Sequence, residues 1–231
     1  MAFRFPPGDA RMTFIGATGT GKTTCAAWVF SHARFDVRPW VVIDFKRERL
    51  FDEIGCPPLL DLPLTKTPKR KGVYIVTPDP GEEAELELFL WRIWQQENIG
   101  LFIDEAALMP DKPAWHAILQ QGRSKRIPVL ACTQRPVNVI RGVFSEADYF
   151  AVFRITDRRD ARVVEGFVPA DLTQPLPSRH WRYYDVARNK LLQMAPVPHP
   201  RDVALRLRQR IPYTWSPLAH FWRGEPQRES A

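Results

Sequence analysis

The sequence predicts an α/β fold: a mostly parallel sheet with helices on both faces, extended by a carboxyl-terminal β-hairpin and a Pro-rich tail. Three observations carry the prediction. Short apolar runs alternate with helix-length segments from Met12 to Glu165, the order that gives crossover units and parallel pairing. A glycine-rich turn, Gly16 to Thr23, joins one such run to a helix. Finally, His180 to Met194 alternates about a turn at Arg188-Asn189, which reads as an antiparallel hairpin.

Taken in order, Met12-Thr13-Phe14-Ile15 is the first strand and Thr24 to Phe30 the first helix. Trp40 to Phe45 reads as a buried strand that stops in the polar run Lys46-Arg47-Glu48-Arg49. A basic loop, Thr65 to Gly72, precedes the strand Val73 to Thr77. The helix after it has start signals: Asp79 as cap, Pro80 at the first helical position, and Glu82 three residues after the cap. Its Leu86, Phe89, Leu90, Ile93 and Trp94 fall at i, i+3, i+4, i+7 and i+8, a stripe that belongs in a core. Then come strand Gly100 to Asp104, helix Pro113 to Gly122, strand Pro128 to Thr133, strand Asp148 to Ile155 and a short helix Arg159 to Glu165. Beyond Pro196 prolines are frequent, with one basic helical piece, Asp202 to Gln209. The expected organisation is one domain over residues 1–200 and a basic helix with a tail over 201–231.

Composition bounds the class. With 231 residues, 26% charged and 45% hydrophobic, the chain has room for one α/β domain with a full core. No apolar run approaches the roughly 18 residues of a membrane helix, and the first residues lack the basic-then-apolar order of a signal peptide. Cys25, Cys56 and Cys132 lie far apart without metal-binding spacing, as expected of reduced core residues in a cytoplasm-like compartment. A net charge of +7 and a pI near 9.6 suit a polyanionic partner without requiring one.

The turn itself, Gly16-Ala17-Thr18-Gly19-Thr20-Gly21-Lys22-Thr23, fills every position of the P-loop pattern G-x-x-x-x-G-K-[ST] in its strand–turn–helix context. Such a loop turns its N–H groups, and the helix start at Thr24, toward the phosphates of a nucleoside triphosphate. Lys22 reaches the β- and γ-phosphates, and the Thr23 hydroxyl holds Mg2+. The metal needs an acidic partner. Leu101-Phe102-Ile103-Asp104-Glu105 provides Asp104 at a strand's carboxyl end for the Mg2+ shell, with Glu105 beside it as the base that polarises the attacking water. That pair favours hydrolysis over phosphoryl transfer to a metabolite. Gln134, ending its own strand, is placed to sense the γ-phosphate. No Asn-Lys-x-Asp pattern for guanine is present, so ATP is the expected nucleotide.

The stretch Gly122-Arg123-Ser124-Lys125-Arg126-Ile127-Pro128-Val129-Leu130-Ala131-Cys132-Thr133-Gln134-Arg135-Pro136-Val137-Asn138-Val139-Ile140 resembles the corresponding part of the FtsK–HerA superfamily of DNA-pumping ATPases. That family has an arginine before this strand and a Thr-Gln-Arg-Pro-type end to it. Val42-Ile43-Asp44-Phe45-Lys46 is similar to the family's Ile-Asp-Pro-Lys segment, with Phe45 where proline is usual. The resemblance spans residues 12 to 165. It implies a RecA-like core that assembles into a ring, usually hexameric, and hydrolyses ATP to translocate double-stranded DNA. It also implies an arginine acting on the neighbour's site, with Arg123 the best positional match and Arg126, Arg135 and Arg154 behind it.

The chain reads as little more than the motor, without the spans or added domains of cell-division and conjugation translocases. In this it resembles the genome-packaging ATPases of tailless icosahedral viruses with an internal membrane. The expectation is therefore a viral motor that pumps DNA into a preformed capsid. It would act in the host cytoplasm or at a packaging vertex of the virion, with capsid or portal-vertex proteins as partners. The alternatives are a plasmid or chromosomal HerA/FtsK-type translocase, a filamentous-phage assembly ATPase, a nucleotide-switched assembly factor and a small-molecule kinase. Glu105 weighs against the switch, which needs no strong base beside its metal aspartate. DNA contact has three candidates: the loop Lys66 to Lys71, the cluster Arg158-Arg159-Arg162, and the helix with Arg206, Arg208 and Arg210.

Overall fold

Nine strands form one sheet in the computed structural model, which describes residues 6, 8–55 and 58–212. They are β1 (Met12–Ile15), β2 (Trp40–Ile43), β3 (Leu59–Asp61), β4 (Val73–Val76), β5 (Gly100–Ile103), β6 (Val129–Thr133), β7 (Tyr149–Val152), β8 (Trp181–Asp185) and β9 (Lys190–Met194). Their spatial order is β3-β4-β2-β5-β6-β1-β7-β8-β9. The first seven pair in parallel, and the hairpin β8–β9 adds to the β7 edge in antiparallel fashion.

Every residue of β1, β2, β5 and β6 is buried, because helices cover both faces of the sheet. On one side lie α1 (Lys22–Phe30), α2 (Arg49–Ile54) and α7 (Pro200–Arg210); on the other lie α3 (Glu83–Gln96), α4 (Pro113–Gln121), α5 (Gly142–Ser145) and α6 (Arg158–Glu165). Successive strand residues serve opposite layers: Leu101 and Ile103 pack under α3 and α4, whereas Phe102 packs with Phe30 and Phe51 under α1 and α2.

The expected helix start at Asp79 is corrected to Glu83. Asp79 and Glu82 do meet, the Asp79 N–H donating to Glu82 Oε2 at 2.8 Å and the Glu82 N–H to the Asp79 carbonyl at 3.1 Å. They close a separate turn, since Pro80-Gly81 is a poor first turn of helix, glycine alone costing about 1 kcal/mol. The stripe beyond it is as expected, with Leu86, Phe89, Leu90 and Ile93 fully inside and Trp94 half-buried. Of the labelled elements, α2, β3 and the four-residue α5 have no counterpart in the sequence reading. The polar run after β2 continues into α2, and β3 is a three-residue strand; both are too short to display a period. Among the described residues no helix is long and apolar enough to cross a membrane.

The basic helix expected after residue 200 is α7, and it is part of the core. Val203, Ala204 and Leu207 are buried against α1 and α2. Two of its exposed arginines reach the end of α1. Arg206 Nε donates to Ser31 Oγ at 3.1 Å, its Nη2 lies 3.0 Å from His32 Nε2, and Arg210 Nη2 donates to the Ala33 carbonyl at 3.3 Å. Both sit where the α1 dipole favours cations. Both arginines, exposed as they are, also tie α7 to the end of α1. Cys56 and the tail 213–231 lie outside the described residues. Leu207→Ala is expected to lose about 2–5 kcal/mol of stability in a urea titration, as a buried core leucine does; a loss within about 0.5 kcal/mol would mean that α7 is a surface appendage.

Candidate active site

The site is a product of strand order. β6 lies between β5 and β1, and the register pairs Ile103 with Ala131 and Ile15 with Thr133. Continued past the ends of β5, that register sets Asp104 level with Cys132 and Phe14, and Glu105 level with Thr133 and Ile15. The carboxyl ends of three parallel strands thus deliver the glycine-rich loop, the acidic pair and Gln134 to one place, as open α/β sheets do.

The loop is pinned on both sides as it leaves β1. Gly16 N–H donates to the Thr133 carbonyl and Ala17 N–H to the Arg154 carbonyl, both at 3.2 Å. A Cβ on Gly16 would stand 2.5 Å from Phe153 Cβ, so no side chain fits there. Thr20 Oγ1 braces the turn by donating to the Ala17 carbonyl at 2.8 Å. Gly21 caps α1 at φ 95°, a left-handed conformation, and no side chain caps the helix. The first-turn N–H groups of α1 therefore face the cleft as an anion site. Lys22 is buried, and Thr23 and Thr24 are half-buried.

Asp104 is fully buried, and among the described residues neither of its carboxylate oxygens has a hydrogen-bond partner. Burial, with the negative charges of Glu48 and Asp44 against the positive ones of Lys46 and Lys22, pushes its pKa up to about 7. An orphaned buried carboxylate beside a phosphate cradle suits a divalent cation held in part by phosphate oxygens. Glu105 differs sharply: its Oε2 accepts from Lys46 Nζ at 2.5 Å and its Oε1 from the Gln134 N–H at 3.1 Å. Gln134 closes the group, because its Oε1 accepts from Thr18 Oγ1 of the loop at 2.7 Å.

Ala17, Thr18, Gly19, Gly21 to Thr24 and Gln134 border a cleft of about 300 Å3, with Asp104 and Glu105 buried behind its lining. Glu48, Phe153, Arg179 and the segment Pro196, Val197, Pro198 and Pro200 form the rest of its wall. The sequence reading did not include that wall. Arg179 precedes β8 in no motif, and the one local signal was the density of prolines after β9, which stiffens the segment.

Arg123 is placed elsewhere. It follows α4 at the amino-terminal edge of the sheet, where its Nη1 lies 2.7 Å from Asp148 Oδ1, and Asp148 in turn accepts from the Arg11 N–H immediately before β1. The Arg123 side chain is 58% exposed. Of the other arginines, Arg135 is engaged within its own subunit by Asp157 and Asp160 (3.3 and 3.2 Å). Arg154 contributes its carbonyl to the loop, and Arg126 offers its carbonyl to Arg38 Nη1 at 2.8 Å.

Comparison with known proteins connects this geometry to a family. The chain is 40% identical over 218 residues to the DNA packaging ATPase P9 of Enterobacteria phage PRD1, an alignment covering 89% of this chain and 95% of that protein. The chain belongs to the family of that DNA packaging ATPase. The resemblance read from the sequence to viral packaging motors is thereby borne out. No family model matches the chain. Among solved structures, the genome packaging NTPase B204 of Sulfolobus turreted icosahedral virus 2 in complex with AMPPCP superposes with a TM-score of 0.67 at 17% identity, over 83% of this chain and all of that one. The same NTPase with ATP-gammaS gives 0.61 over 84% of this chain. EssC of Geobacillus thermodenitrificans (ATPases 2 and 3) gives 0.60 at 13% identity, over 87% of this chain and 43% of that one. At such identities these structures bear on the fold alone, and they agree with a mostly parallel, RecA-like P-loop core.

The raised pKa of Asp104 has a consequence for stability. The folded carboxyl keeps its proton up to about pH 7, whereas the unfolded one loses it near its ordinary value of 3.8. The folded chain therefore binds more protons across that window, and stability falls as pH rises through it. Asp104→Asn is expected to flatten this slope and to stabilise the nucleotide-free chain at pH 7.5 by on the order of 1–4 kcal/mol, read from urea titrations at several pH values. Parallel curves for parent and variant would show that burial does not hold this proton.

Proposed function

We propose that this chain is a viral genome-packaging motor: an ATPase, working as a ring of six copies at a capsid's packaging vertex in the host cell, that drives double-stranded DNA into a preformed capsid. The observation that carries the reading is the orphaned, buried Asp104 beside the Lys22 loop, with Glu105 and Gln134 alongside, in a chain 40% identical to a DNA packaging ATPase.

In this mechanism the triphosphate rests in the loop Gly16, Ala17, Thr18, Gly19, Thr20, Gly21, Lys22, Thr23 and Thr24, on N–H groups not already held by the loop's own contacts to carbonyls, and Lys22 neutralises the β- and γ-phosphates. Thr23 and Asp104 would hold Mg2+, which supplies charge neutralisation across the phosphate oxygens. Ionising the Asp104 carboxyl, costly in its buried state, is offset by that cation. Glu105 accepts the proton of the attacking water. Gln134 orients that water and, through Thr18, registers whether the loop carries a γ-phosphate. The prolines after β9 and Arg179 flank the cleft where the ribose and base extend.

Arg123 serves the neighbouring subunit. Its position supports this: it stands at the amino-terminal edge of the sheet, separated from its own cleft by β6, whose five residues span about 16 Å. Its pairing with Asp148 is exposed, a kind of ion pair worth about 0–1 kcal/mol, so release is cheap. A trans-acting arginine of this type is worth about 10³–10⁵ in rate. Arg123→Ala alone and Lys22→Ala alone are both expected to be nearly inactive, while mixing the two variants restores turnover at interfaces that combine one intact loop with one intact arginine. Mixtures no more active than their components would assign Arg123 to its own subunit or to no catalytic role.

The DNA contact in this reading is the loop with Lys66, Lys69, Arg70 and Lys71. All four are exposed, and among the described residues no carboxylate pairs with them. The loop is anchored to α3 by Arg92 on the Leu64 carbonyl and by Gln96 Nε2 on the Pro68 carbonyl at 2.5 Å. Replacing Lys69, Arg70 and Lys71 by glutamine is expected to weaken DNA binding and to lower the slope of log affinity against log salt by about 0.9 per lost phosphate contact. An unchanged slope would transfer the contact to Arg158, Arg159 and Arg162.

A further inference from the structure

Arg11, the residue before β1, carries a guanidinium that has no part in the mechanism above, and its side chain is only 4% exposed. It lies beneath the end of α4. Its Nη1 donates to the Leu119 carbonyl and its Nη2 to the Ile118 carbonyl at 2.9 Å, with Glu146 Oε2 3.8 Å away as counter-charge. Both carbonyls belong to the last turn of α4, where C=O groups run short of helical partners and the helix dipole favours a cation. Charge-assisted bonds of this kind, shielded from water, fix the helix end. The chain then leaves α4 through Gly122, where a Cβ would stand 2.9 Å from Arg11 Nη2 and closer still to the Ile118 carbonyl oxygen. The next residue is Arg123.

Arg11 also meets Arg123 from a second side. Its N–H donates to Asp148 Oδ2 at 2.9 Å, and its carbonyl accepts from the Asp148 and Tyr149 N–H groups at 3.0 and 3.1 Å. Asp148 Oδ1 in turn accepts from Arg123 Nη1 at 2.7 Å. That outer pair is exposed and holds weakly. The buried contact under α4 is the one able to fix a direction. The two are separable, because a substitution at residue 11 removes the guanidinium and leaves the backbone bonds to Asp148 in place.

We propose that Arg11 is a positioning residue for Arg123: by clamping the last turn of α4, it sets the point and direction from which that arginine reaches the neighbouring subunit's nucleotide. The inference rests on Arg123 serving the neighbour. Its test keeps the supplier of the arginine and the supplier of the loop on different full-length chains. The reference is the Lys22→Ala chain mixed with the Arg123→Ala chain, read as ATP hydrolysis. Arg11→Met added to the Lys22→Ala chain, which supplies the arginine, is expected to lower the mixture's kcat about ten- to a hundredfold with KM unchanged, as a misplacement of about 1 Å does. Arg11→Met added instead to the Arg123→Ala chain, which supplies only the loop, should leave the reference rate intact. Parental affinity of that chain for a fluorescent ATP analogue reports that it folds. Gly122→Ala, which presses on the same guanidinium from α4, should reproduce the one-sided loss and replaces Arg11→Met should the latter not fold. Arg11→Lys, which keeps the cation without the fork, should fall between Arg11→Met and the reference. Equal losses in both mixtures, a loss confined to the loop-supplying chain, or no loss in either overturns the positioning role. A reference mixture no more active than its components overturns the assignment of Arg123 instead.

Discussion

The parallel pairing of β6 between β5 and β1 is the constraint on which the site depends. It sets the ends of three strands level, so that a loop near residue 20, an acidic pair near residue 104 and an amide at residue 134 become neighbours without any long side chain reaching for another. The backbone itself binds them together: Gly16 N–H to Thr133, Gln134 N–H to Glu105. Helices on both faces keep those strands dry, and this is why all of their residues are apolar or neutral until the chain emerges at the sheet's edge.

The same dryness divides labour between two adjacent carboxylates. Asp104 lies fully inside with no hydrogen-bond donor among the described residues, so its ionised form waits on a cation. Glu105, one residue further and on the other side of the pleat, is satisfied by Lys46 and by the backbone of Gln134. Two acids with opposite needs thus stand side by side, one suited to hold metal and the other already hydrogen-bonded within the chain.

Much of this was legible in the sequence, for identifiable reasons. The glycine-rich loop is recognisable because backbone approach to phosphates tolerates few residue types, and Gly16, with Phe153 against its Cα, shows why. Asp104 and Gln134 were placed by their positions at the ends of apolar runs. The hairpin was read from its alternation. What escaped was non-local or short. Arg179 and the proline segment reach the cleft only through the antiparallel strands at the β7 edge, and α2 and β3 are shorter than a readable period. The contact between Lys46 and Glu105 links residues 59 positions apart. In α7, the exposed Arg206 and Arg210 also bond to the end of α1, which no sequence pattern announces.

The central claim, that this site's chemistry is coupled to double-stranded DNA, is tested most directly by ATP hydrolysis of the full-length chain with and without long double-stranded DNA across a salt series. The account expects stimulation by DNA at low salt that fades as salt rises, since contacts to phosphate release counterions. Hydrolysis at an equal rate with and without DNA at every salt concentration, in protein shown to bind DNA, would contradict it and leave an ATPase that does not act as a DNA pump.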